Sequence, residues 1–558
     1  MTPREAAIAR SQRTMTRRRV LASAVAAGSV GLGTAACGGS APKTQPRALA
    51  STPTPTGPQR GGILRSIGGP LTGVPDPHTT SSTVDARIWQ WCGNLLFRFS
   101  AQAPHLPEPD LAASLPEQPG DGVTFVVKIR PEAKWQDLPP VSGRLVSAHD
   151  VKASFDRMKA VGVNSPRAGN YANIDRVTVV DEHTLQFKLK APQADLLNVL
   201  SDQFDIILPQ ELAARGNDAI RSLADVIGSG PYQLMRYEPG LRVQLTRRTD
   251  GYWRKPGAWV DGLELLDIED AGQAANLLLE GVADEATFPP VLARVFAEQA
   301  NFSVLRAPSA ARECVLVNHR AGPWRDPRVR LAAWRAIDRQ LVYNAAFQGE
   351  GVPGGPVSPA AAAWALSDAE LASLPGFGER AGELSDAKAL LTAAGFKDGF
   401  DDTIQTVSSL GLDRVNDAVV RGLAQAGIRL TTQDLGPDIS ALTGRARSGT
   451  FSLMTTLLLA GIYPDAQLSV YHHSGGAANF GGYSNAALDA KLDRQHGLYD
   501  AVARTALVKD IQRDIVRAPG PLWLGSRNQL QAVSARVHGM VATPFVAGYS
   551  DAENCWLG

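Results

Sequence analysis

The stretch "SAHDVKASFDRMKAV" at positions 147–161 carries the clearest structural signal in the sequence. Ser147 followed three residues later by Asp150 is typical of a capping box, in which two side chains satisfy free backbone N–H groups where a helix begins. The apolar residues that follow at helical spacing share one face, namely Val151, Phe155 and Met158. The stretch therefore predicts an amphipathic helix whose apolar face packs against a core.

Segments on either side of this helix indicate a chain that alternates helices with strands. Apolar and polar residues alternate in "TFVVKIRP" (Thr124–Pro131) and in "TLQFKLKAP" (Thr184–Pro192), as they do in half-buried strands. Apolar residues recur every four positions in Arg328–Phe347, which predicts one long amphipathic helix. In Asp417–Leu435 a helical pattern stops at Gly427 and a strand follows. The sequence has no short tandem repeat, so the predicted fold class is mixed α/β with several sheets.

The first 36 residues have the three parts of an export signal. Three arginines (Arg17–Arg19) precede a weakly apolar run, and small residues lead up to Cys37. The arginines resemble a twin-arginine signal, and the small residues resemble a bacterial lipoprotein cleavage box in which Thr34 replaces the usual Leu. We predict lipidation of Cys37, the alternative being a plain cleaved signal. A spanning helix is not predicted, because it needs about 20 strongly apolar residues.

Residues 37–60 are dominated by Pro and Thr and have almost nothing apolar to pack. We expect them to form an extended, solvated tether. The body that follows, about 500 residues long, exceeds what one hydrophobic core usually organises, which predicts two or three domains. The net charge of +1 argues against a basic nucleic-acid-binding protein.

Catalytic and metal-binding motifs are absent from the sequence. The adjacent His472 and His473 come without an HExxH or Cys-x-x-Cys motif, so we interpret them as part of a solvent-facing loop. "GEGVPG" (Gly349–Gly354) follows a predicted helix and contains a proline, unlike a dinucleotide-binding loop. We therefore predict no enzyme activity, no metal and no cofactor. The cysteines of the body allow either one disulfide or three buried thiols: Cys92, Cys314 and Cys555.

Several blocks of the body, in their order along the chain, resemble one protein family. "SAHDVKASFDRM" resembles the signature helix of the large solute-binding proteins of ABC importers, the oligopeptide, dipeptide and nickel-binding family 5. "GGILRSIGGPLTGVPDPHTTSS" (61–82) resembles its opening strand and Asp-Pro turn, and "IGSGPYQLMRYEPGLRVQLTRRTDGYW" (Ile227–Trp253) its Gly-x-Gly-Pro-Tyr strand pair. "NFGGYSNAALDAKLD" (479–493) resembles a later block.

The resemblance implies a two-lobed, periplasmic-binding-protein-like fold of class II type, with an extra inserted domain and a cleft between the lobes. Closure of the hinge around a ligand would hide the ligand from water and present a closed surface to a membrane permease. The implied domains are discontinuous. They are domain I from residues 61–97, 226–310 and 520–558, domain II from 98–225, and domain III from 311–519.

The resemblance also points to one side of the ligand site. Many members pair the free amine of a bound peptide with an aspartate in a Trp-x-x-Asp-Tyr stretch of the second lobe. In "TTLLLAGIYPDAQLS" (455–469), Leu459 and Ile462 fall at the positions of that tryptophan and aspartate. Asp465 would replace the missing carboxylate if the loop shifts, and otherwise it is a loop or capping residue. Without the carboxylate, the site is less suited to a free amino terminus.

Other candidate ligand contacts come from position within the family blocks. Ser81, Ser82 and Thr83 follow the Asp-Pro turn and are predicted to form the opposite wall, the alternative being a polar surface loop. Trp89 and Trp91 would share one face of a strand but diverge in a helix; core packing is the commoner use of such a pair, and ligand stacking is the alternative. The full predicted set is Ser81, Ser82, Thr83, Trp91, Ala460, Ile462, Asp465 and Tyr483.

Together these features predict a receptor held on the outer face of the cytoplasmic membrane by a lipid on Cys37. It would bind peptides or peptide-like solutes as a monomer and deliver them to an ABC permease, without nucleic acid or cofactor. Two alternatives stay open. One is a receptor for a non-peptide ligand, and the other is a non-transporting envelope lipoprotein of the same fold, whose cleft would be filled by side chains.

Overall fold

The computed structural model describes residues 57–71, 73, 76–100, 106–160, 167–255, 257–458, 461–545 and 552–558. These residues belong to the larger of the two units into which the chain divides, Pro55–Gly558. The predicted signal, Cys37, Leu459 and Ala460 lie outside the described residues. Within the described part, no helix combines the length and the hydrophobicity needed to cross a bilayer.

The strands of the described residues follow one another from the first sheet residue to the C-terminus. They are β1 (Ile63–Gly68), β2 (Phe97–Phe99), β3 (Pro107–Pro109), β4 (Thr124–Lys128), β5 (Ile174–Asp181), β6 (Thr184–Leu189), β7 (Tyr232–Glu238), β8 (Arg242–Arg247), β9 (Gly262–Asp267), β10 (Glu285–Thr287), β11 (Phe302–Pro308), β12 (Arg312–Val317), β13 (Gly351–Val352), β14 (Phe400–Thr406), β15 (Ile428–Asp434), β16 (Leu453–Leu458), β17 (Leu522–Ser534), β18 (Val537–His538) and β19 (Trp556–Leu557).

The α-helices of the same residues are interleaved with these strands. They are α1 (Thr83–Cys92), α2 (Ala148–Lys159), α3 (Leu196–Val199), α4 (Gln210–Ala213), α5 (Ala271–Leu279), α6 (Pro290–Ala297), α7 (Pro327–Ala336), α8 (Arg339–Leu341), α9 (Asp368–Ala372), α10 (Arg380–Ala393), α11 (Asp413–Ala424), α12 (Ile439–Ser448), α13 (Val470–His472), α14 (Ala486–His496) and α15 (Ala501–Arg517). Two π-helical turns also occur, at Val342–Ala346 and Asp465–Ser469.

Twelve strands form one mixed sheet, which confirms the predicted α/β class. The strand order is β15-β14-β16-β12-β17-β10-β1-β9-β8-β7, with β11 and β13 also paired to β17. The long strand β17 joins the two halves of this sheet. Its first residues, 522–525, pair with β12, and residues 526–534 pair with β13, β11 and β10. A separate three-stranded sheet has the order β4-β6-β5.

Gly525 marks the point where β17 passes from one half of the sheet to the other. Its φ angle is +143°, and a Cβ atom at this position would lie 2.5 Å from the carbonyl oxygen of Val352. The pairing of β12 with β17 also shifts register at this point, between Glu313 and Cys314. Glycine is required here, and the strand is irregular where the two halves meet.

The predicted helix α2 is confirmed. The Asp150 carboxylate accepts the backbone N–H of Ser147 at 2.9 Å, which caps the helix start, and it also pairs with Arg144 at 2.6 Å. The apolar face is buried, and the ring of Phe155 packs edge-on against Phe187 of β6. Helix α2 therefore fastens the three-stranded sheet to the core that residues from Leu64 to Leu265 largely build.

The end of α1 is held against the Gly-x-Gly-Pro-Tyr stretch at residues 228–232. The backbone N–H of Gly230 donates to the Cys92 carbonyl at 2.7 Å. A Cβ atom on Gly228 would lie 1.9 Å from the same oxygen. The two glycines are needed because two backbones come closer here than any side chain allows.

One predicted helix differs from the structure, and one segment left open is decided by it. The segment expected as one helix over Arg328–Phe347 breaks at Ile337, whose ψ of 122° is extended. The Asp338 carboxylate then accepts the Leu341 N–H at 2.8 Å and starts a new helical turn. For Trp89 and Trp91, where strand and helix were both open, the structure has the helix α1, and both side chains are buried as core packing requires.

The histidine pair and the cysteines also have clear positions. His472 is fully buried in α13 and accepts the indole N–H of Trp523 at 3.1 Å, so the solvent-facing loop predicted for it is wrong. Its neighbour His473 is partly exposed. Of the two possibilities left open for the cysteines of the body, the described residues show three buried free thiols: Cys92, Cys314 and Cys555.

Candidate functional site

A cavity of about 750 Å3 lies between residues 81–204 and residues 461–496. Its lining is rich in side-chain amides and aromatic rings. The amides come from Asn170, Asn173, Gln193, Asn198 and Gln203. The aromatic residues are Phe99, Phe204, Tyr463, Tyr471 and Phe545. Amides both donate and accept hydrogen bonds, and rings offer flat apolar contact, so the cavity suits a polar organic solute.

Three predicted residues from the first wall lie at the start of α1. Ser81 and Thr83 line the cavity. Ser82 caps the helix, because its hydroxyl accepts the Asp85 N–H at 3.2 Å. The turn is held further by the Thr80 hydroxyl, which donates to the Asp85 carboxylate at 2.7 Å. The helix start therefore presents Ser81 and Thr83 to the cavity from a fixed position.

Three other predicted residues are buried away from this lining. Trp91 lines a smaller cavity of about 460 Å3, where the Arg87 guanidinium lies 5.1 Å from its ring centroid. Ile462 and Tyr483, 1% and 4% exposed, belong to a small core with α14 and α15. The Tyr483 hydroxyl accepts a hydrogen bond from Asn485 at 3.3 Å. Their role in ligand binding stays a prediction.

Asp465 lines the cavity but its carboxylate is already engaged. It opens one of the two π-helical turns, an irregularity common at functional sites. One carboxylate oxygen lies 2.5 Å from Nδ1 of His496, and the other accepts the Ser469 hydroxyl at 2.9 Å. Burial opposes ionisation of Asp465, but the hydrogen bond and charge of His496 outweigh it, so its pKa is lowered. The carboxylate is an ion-pair partner of His496.

The same region is fastened to the opposite wall by a buried ion pair. The Arg504 guanidinium donates to Asp195 at 2.7 Å, and both side chains are almost completely buried. The Asp195 carboxylate also accepts the backbone N–H of Asp465 at 3.1 Å. Burial, and then the charge of Asp465, raise the pKa of Asp195, while Arg504 acts in the opposite direction.

Tyr499 adds a second contact beside this ion pair. Its hydroxyl donates to the Gly122 carbonyl at 2.7 Å and accepts the Gln193 N–H at 3.0 Å. The Ala194 N–H donates to the His496 carbonyl at 2.8 Å. Residues from both sides of the cavity therefore meet at one rim through hydrogen bonds and charge.

The His496–Asp465 pair predicts a pH-dependent stability. The hydrogen bond to Asp465 raises the pKa of His496 above its ordinary value near 6.5; burial and Arg504 oppose this, and Asp195 supports it. The contribution of His496 is therefore complete below about pH 6.5 and is lost as the pH rises through the raised pKa. The pKa of Asp465 is lowered, so the stability that its ionised carboxylate contributes is lost only when the pH falls through this lowered pKa.

We expect the melting temperature to fall between about pH 6 and about pH 9, and to fall less in His496→Gln. Differential scanning calorimetry of both proteins at the two pH values measures this. Other groups titrate equally in both proteins. The difference between the two changes in melting temperature with pH therefore measures the contribution of the His496–Asp465 pair. Equal slopes would show that His496 is not charged against Asp465.

The structure adds cavity residues that the sequence reasoning missed. Asn198 of α3 lines the cavity, as do Asp202, Gln203 and Phe204, which follow this helix closely. In the sequence Asn198, Asp202 and Gln203 are among the polar residues that interrupt an otherwise apolar run, Leu196–Leu208. Those interruptions were the available signal, since polar residues inside a buried segment need a partner or a ligand.

Comparisons with known proteins agree with the fold. Residues 107–481 match the family described as bacterial extracellular solute-binding proteins, family 5, middle region. The glutathione-binding protein GsiB of Salmonella typhi is 28% identical over 415 residues, covering 72% of this chain and 77% of GsiB. Relatives of this kind are named as binding proteins and not as enzymes.

Solved structures show the same two-lobed fold. The oligopeptide-binding protein AppA of Bacillus subtilis, in complex with a nonapeptide, superposes with a TM-score of 0.72 at 20% identity, covering 90% of this chain and 100% of AppA. The binding protein AgaA of A. tumefaciens R10, in complex with agropinic acid, gives 0.72 at 22% identity over 89% and 99% of the two chains. The family match spans more than half of the chain, and the chain is therefore a member of the family 5 bacterial extracellular solute-binding proteins, which serve ABC importers.

Proposed function

We propose that the protein is a membrane-anchored receptor that captures peptides or peptide-like solutes and delivers them to an ABC permease. The observation that carries this proposal is the cavity of about 750 Å3 between two walls, lined by amides and rings. Amide side chains match the alternating donors and acceptors of a peptide backbone. The relatives named for glutathione and for a bound nonapeptide favour the same class of solute.

A filled cleft would have favoured a non-transporting envelope lipoprotein, and the open cavity argues against that alternative. A receptor for a non-peptide ligand has a specific observation in its favour. The Asp465 carboxylate is committed to His496 and Ser469, and Ile462 is buried, so neither of the two residues expected to meet an amino terminus offers it a free acid. The agropinic acid bound to AgaA shows that this fold is not restricted to peptides.

The predicted domain boundaries support closure about a hinge as part of this proposal. The boundary at residues 310 and 311 falls between β11 and β12, and the boundary at 519 and 520 lies just before β17. The chain passes between the halves of the large sheet at the first boundary, whereas the second lies a few residues before the crossing inside β17 at Gly525. Closure would carry the two cavity walls together around a solute.

Native mass spectrometry of the full chain, purified in a mild detergent, tests the proposal. We expect a small solute that is released on mild unfolding and whose mass identifies it. A refolded, emptied protein should gain thermal stability with a mixed peptide library. An empty protein that gains no stability with any peptide would argue against a peptide receptor.

The anchor is tested by Cys37→Ala. We expect the wild-type chain in the membrane fraction and the variant in the soluble extracytoplasmic fraction, because lipid chains supply the membrane affinity. Ultracentrifugation of cell fractions followed by immunoblotting measures this. The buried Cys92 provides a matched control, since Cys92→Ala should leave the fractionation unchanged. A wild-type chain that is already soluble would contradict the proposed anchor.

A further inference from the structure

Asp202 is the carboxylate of the cavity that the described residues leave without a cation. It lies just after α3 and lines the cavity. One of its oxygens accepts the Phe204 N–H at 3.0 Å, which fixes the direction of the side chain. Within the described residues, its other oxygen has no hydrogen bond, and no Lys, Arg or His nitrogen lies within 4.0 Å.

The neighbouring carboxylates each have a side-chain partner, although the second oxygen of Asp205 is buried without one. Asp195 pairs with Arg504, Asp465 pairs with His496, and Asp205 accepts the hydroxyl of Tyr171. Asp202 differs from them in having only a backbone N–H. Since a desolvated carboxylate without a partner is costly, such a residue in a cavity points to a partner that arrives with the ligand.

The nearest cationic side chain on this wall is committed elsewhere. The Arg167 guanidinium donates to the Thr80 carbonyl at 2.9 Å and to the Pro77 carbonyl at 2.8 Å. It also lies 4.2 Å from the ring centroid of Phe204. It forms no ion pair with Asp202, although its positive charge acts on the Asp202 carboxylate. Burial raises the pKa of Asp202, and the Phe204 N–H and Arg167 only partly oppose it.

We propose that Asp202 is the ionic anchor for a protonated amine or guanidinium of the captured solute. The proposal rests on the proposed receptor function and narrows its substrate to solutes that carry a positive charge. Asn198 and Gln203 line the same cavity, and their amide oxygens can accept the remaining N–H groups of such a cation. Tyr463 of the opposite wall lines the same cavity.

The discriminating variant is Asp202→Asn. Asparagine keeps the shape and can still accept the Phe204 N–H, while the charge is removed. We expect the melting temperature of the empty protein to stay the same or rise, because an uncompensated buried charge is lost. We expect affinity for the retained solute to fall by about 30-fold or more, as when one member of a buried charge pair is removed. A purely structural role would predict the opposite pattern, lower stability and unchanged affinity.

The experiment uses the full chain of the wild type, of Asp202→Asn and of the control Asp175→Asn. Asp175 is exposed, lies on β5 outside the cavity and undergoes the same charge change. Native mass spectrometry identifies the retained solute, and calorimetry measures binding of a tripeptide mixture with free or with acetylated amines. We expect a basic nitrogen in the retained solute and a preference for free amines that only Asp202→Asn loses.

Two results would overturn the anchor alone. One is a retained solute without a basic nitrogen, and the other is binding by Asp202→Asn that matches the wild type. If the wild type retains no solute and binds neither mixture, the receptor function fails and the anchor fails with it. Failure of the anchor and failure of the proposed function are therefore distinct outcomes.

Discussion

Replacing Arg504 by methionine lowers the free energy of unfolding by about 3–5 kcal/mol, as expected when one partner of a buried ion pair is removed. Asp195 is completely buried, and Arg504 is the cation that compensates it. The guanidinium also donates to the carbonyl and to the side chain of Gln495, each at 3.0 Å. Methionine keeps much of the apolar stem but removes the cation from the Asp195 carboxylate and the guanidinium hydrogen bonds from Gln495.

Urea denaturation at neutral pH measures this loss, and a double variant separates charge from packing. We expect Asp195→Asn combined with Arg504→Met to recover at least half of the stability, because the stranded charge is gone. The exposed pair of Asp175 and Arg176 is the matched control, and Arg176→Met should cost less than about 1 kcal/mol. If the double variant is as unstable as the single one, Arg504 acts through packing and hydrogen bonds instead.

Gly228→Ala is expected to lower the free energy of unfolding by about 3 kcal/mol or more, because the added Cβ clashes with backbone atoms that cannot move aside. The added Cβ would lie 1.9 Å from the Cys92 oxygen and 2.5 Å from its carbonyl carbon. Both are backbone atoms at the end of α1, so no side chain can turn away. To make room, the loop must move and lose the hydrogen bond from Gly230 to Cys92.

Gly444→Ala is the matched control for this variant. Gly444 lies inside α12 with open space around the position of a Cβ, so alanine should be neutral or stabilise by up to about 1 kcal/mol. Thermal unfolding of the two variants beside the wild type compares them directly. A Gly228→Ala protein as stable as the wild type would mean that the loop tolerates separation from α1.

The sequence was sufficient to predict those helices whose ends are marked by nearby capping or glycine residues. The capping box at Ser147 and Asp150 and the stop at Gly427, whose φ is +100°, act within a few residues of the helix they bound. The break at Ile337 was missed because its periodic apolar residues continue through Asp338, which starts a new turn. The helix α1 was not predicted. Two apolar residues two positions apart fit one face of a strand, but Trp89 and Trp91 are both buried in a helix, so their spacing does not distinguish the two structures.

The cavity could be predicted only in part. The family resemblance placed Ser81 and Thr83 on one wall, and both line the cavity. Asp202 and Phe204 line the same cavity, but no short-range pattern distinguishes them from core-boundary residues. Their function depends on segments that are far apart in the chain, such as residues 461–496, and only the folded topology brings these together.

The position of β17 has a consequence for the order in which the body can fold as it is made. The pairing of Glu285 with Val533 and of Cys314 with Trp523 joins segments from the middle of the chain to a strand near its end. A nascent chain emerges N-terminus first, at about 5–20 residues per second. Strand β17 lies between β12 and β10 in the complete sheet. Until residues after 521 appear, each half-sheet therefore has an unpaired edge strand on the side where β17 will pair. The ribosome therefore releases a body whose two halves become complete at nearly the same moment, when the strand that they share is finally available.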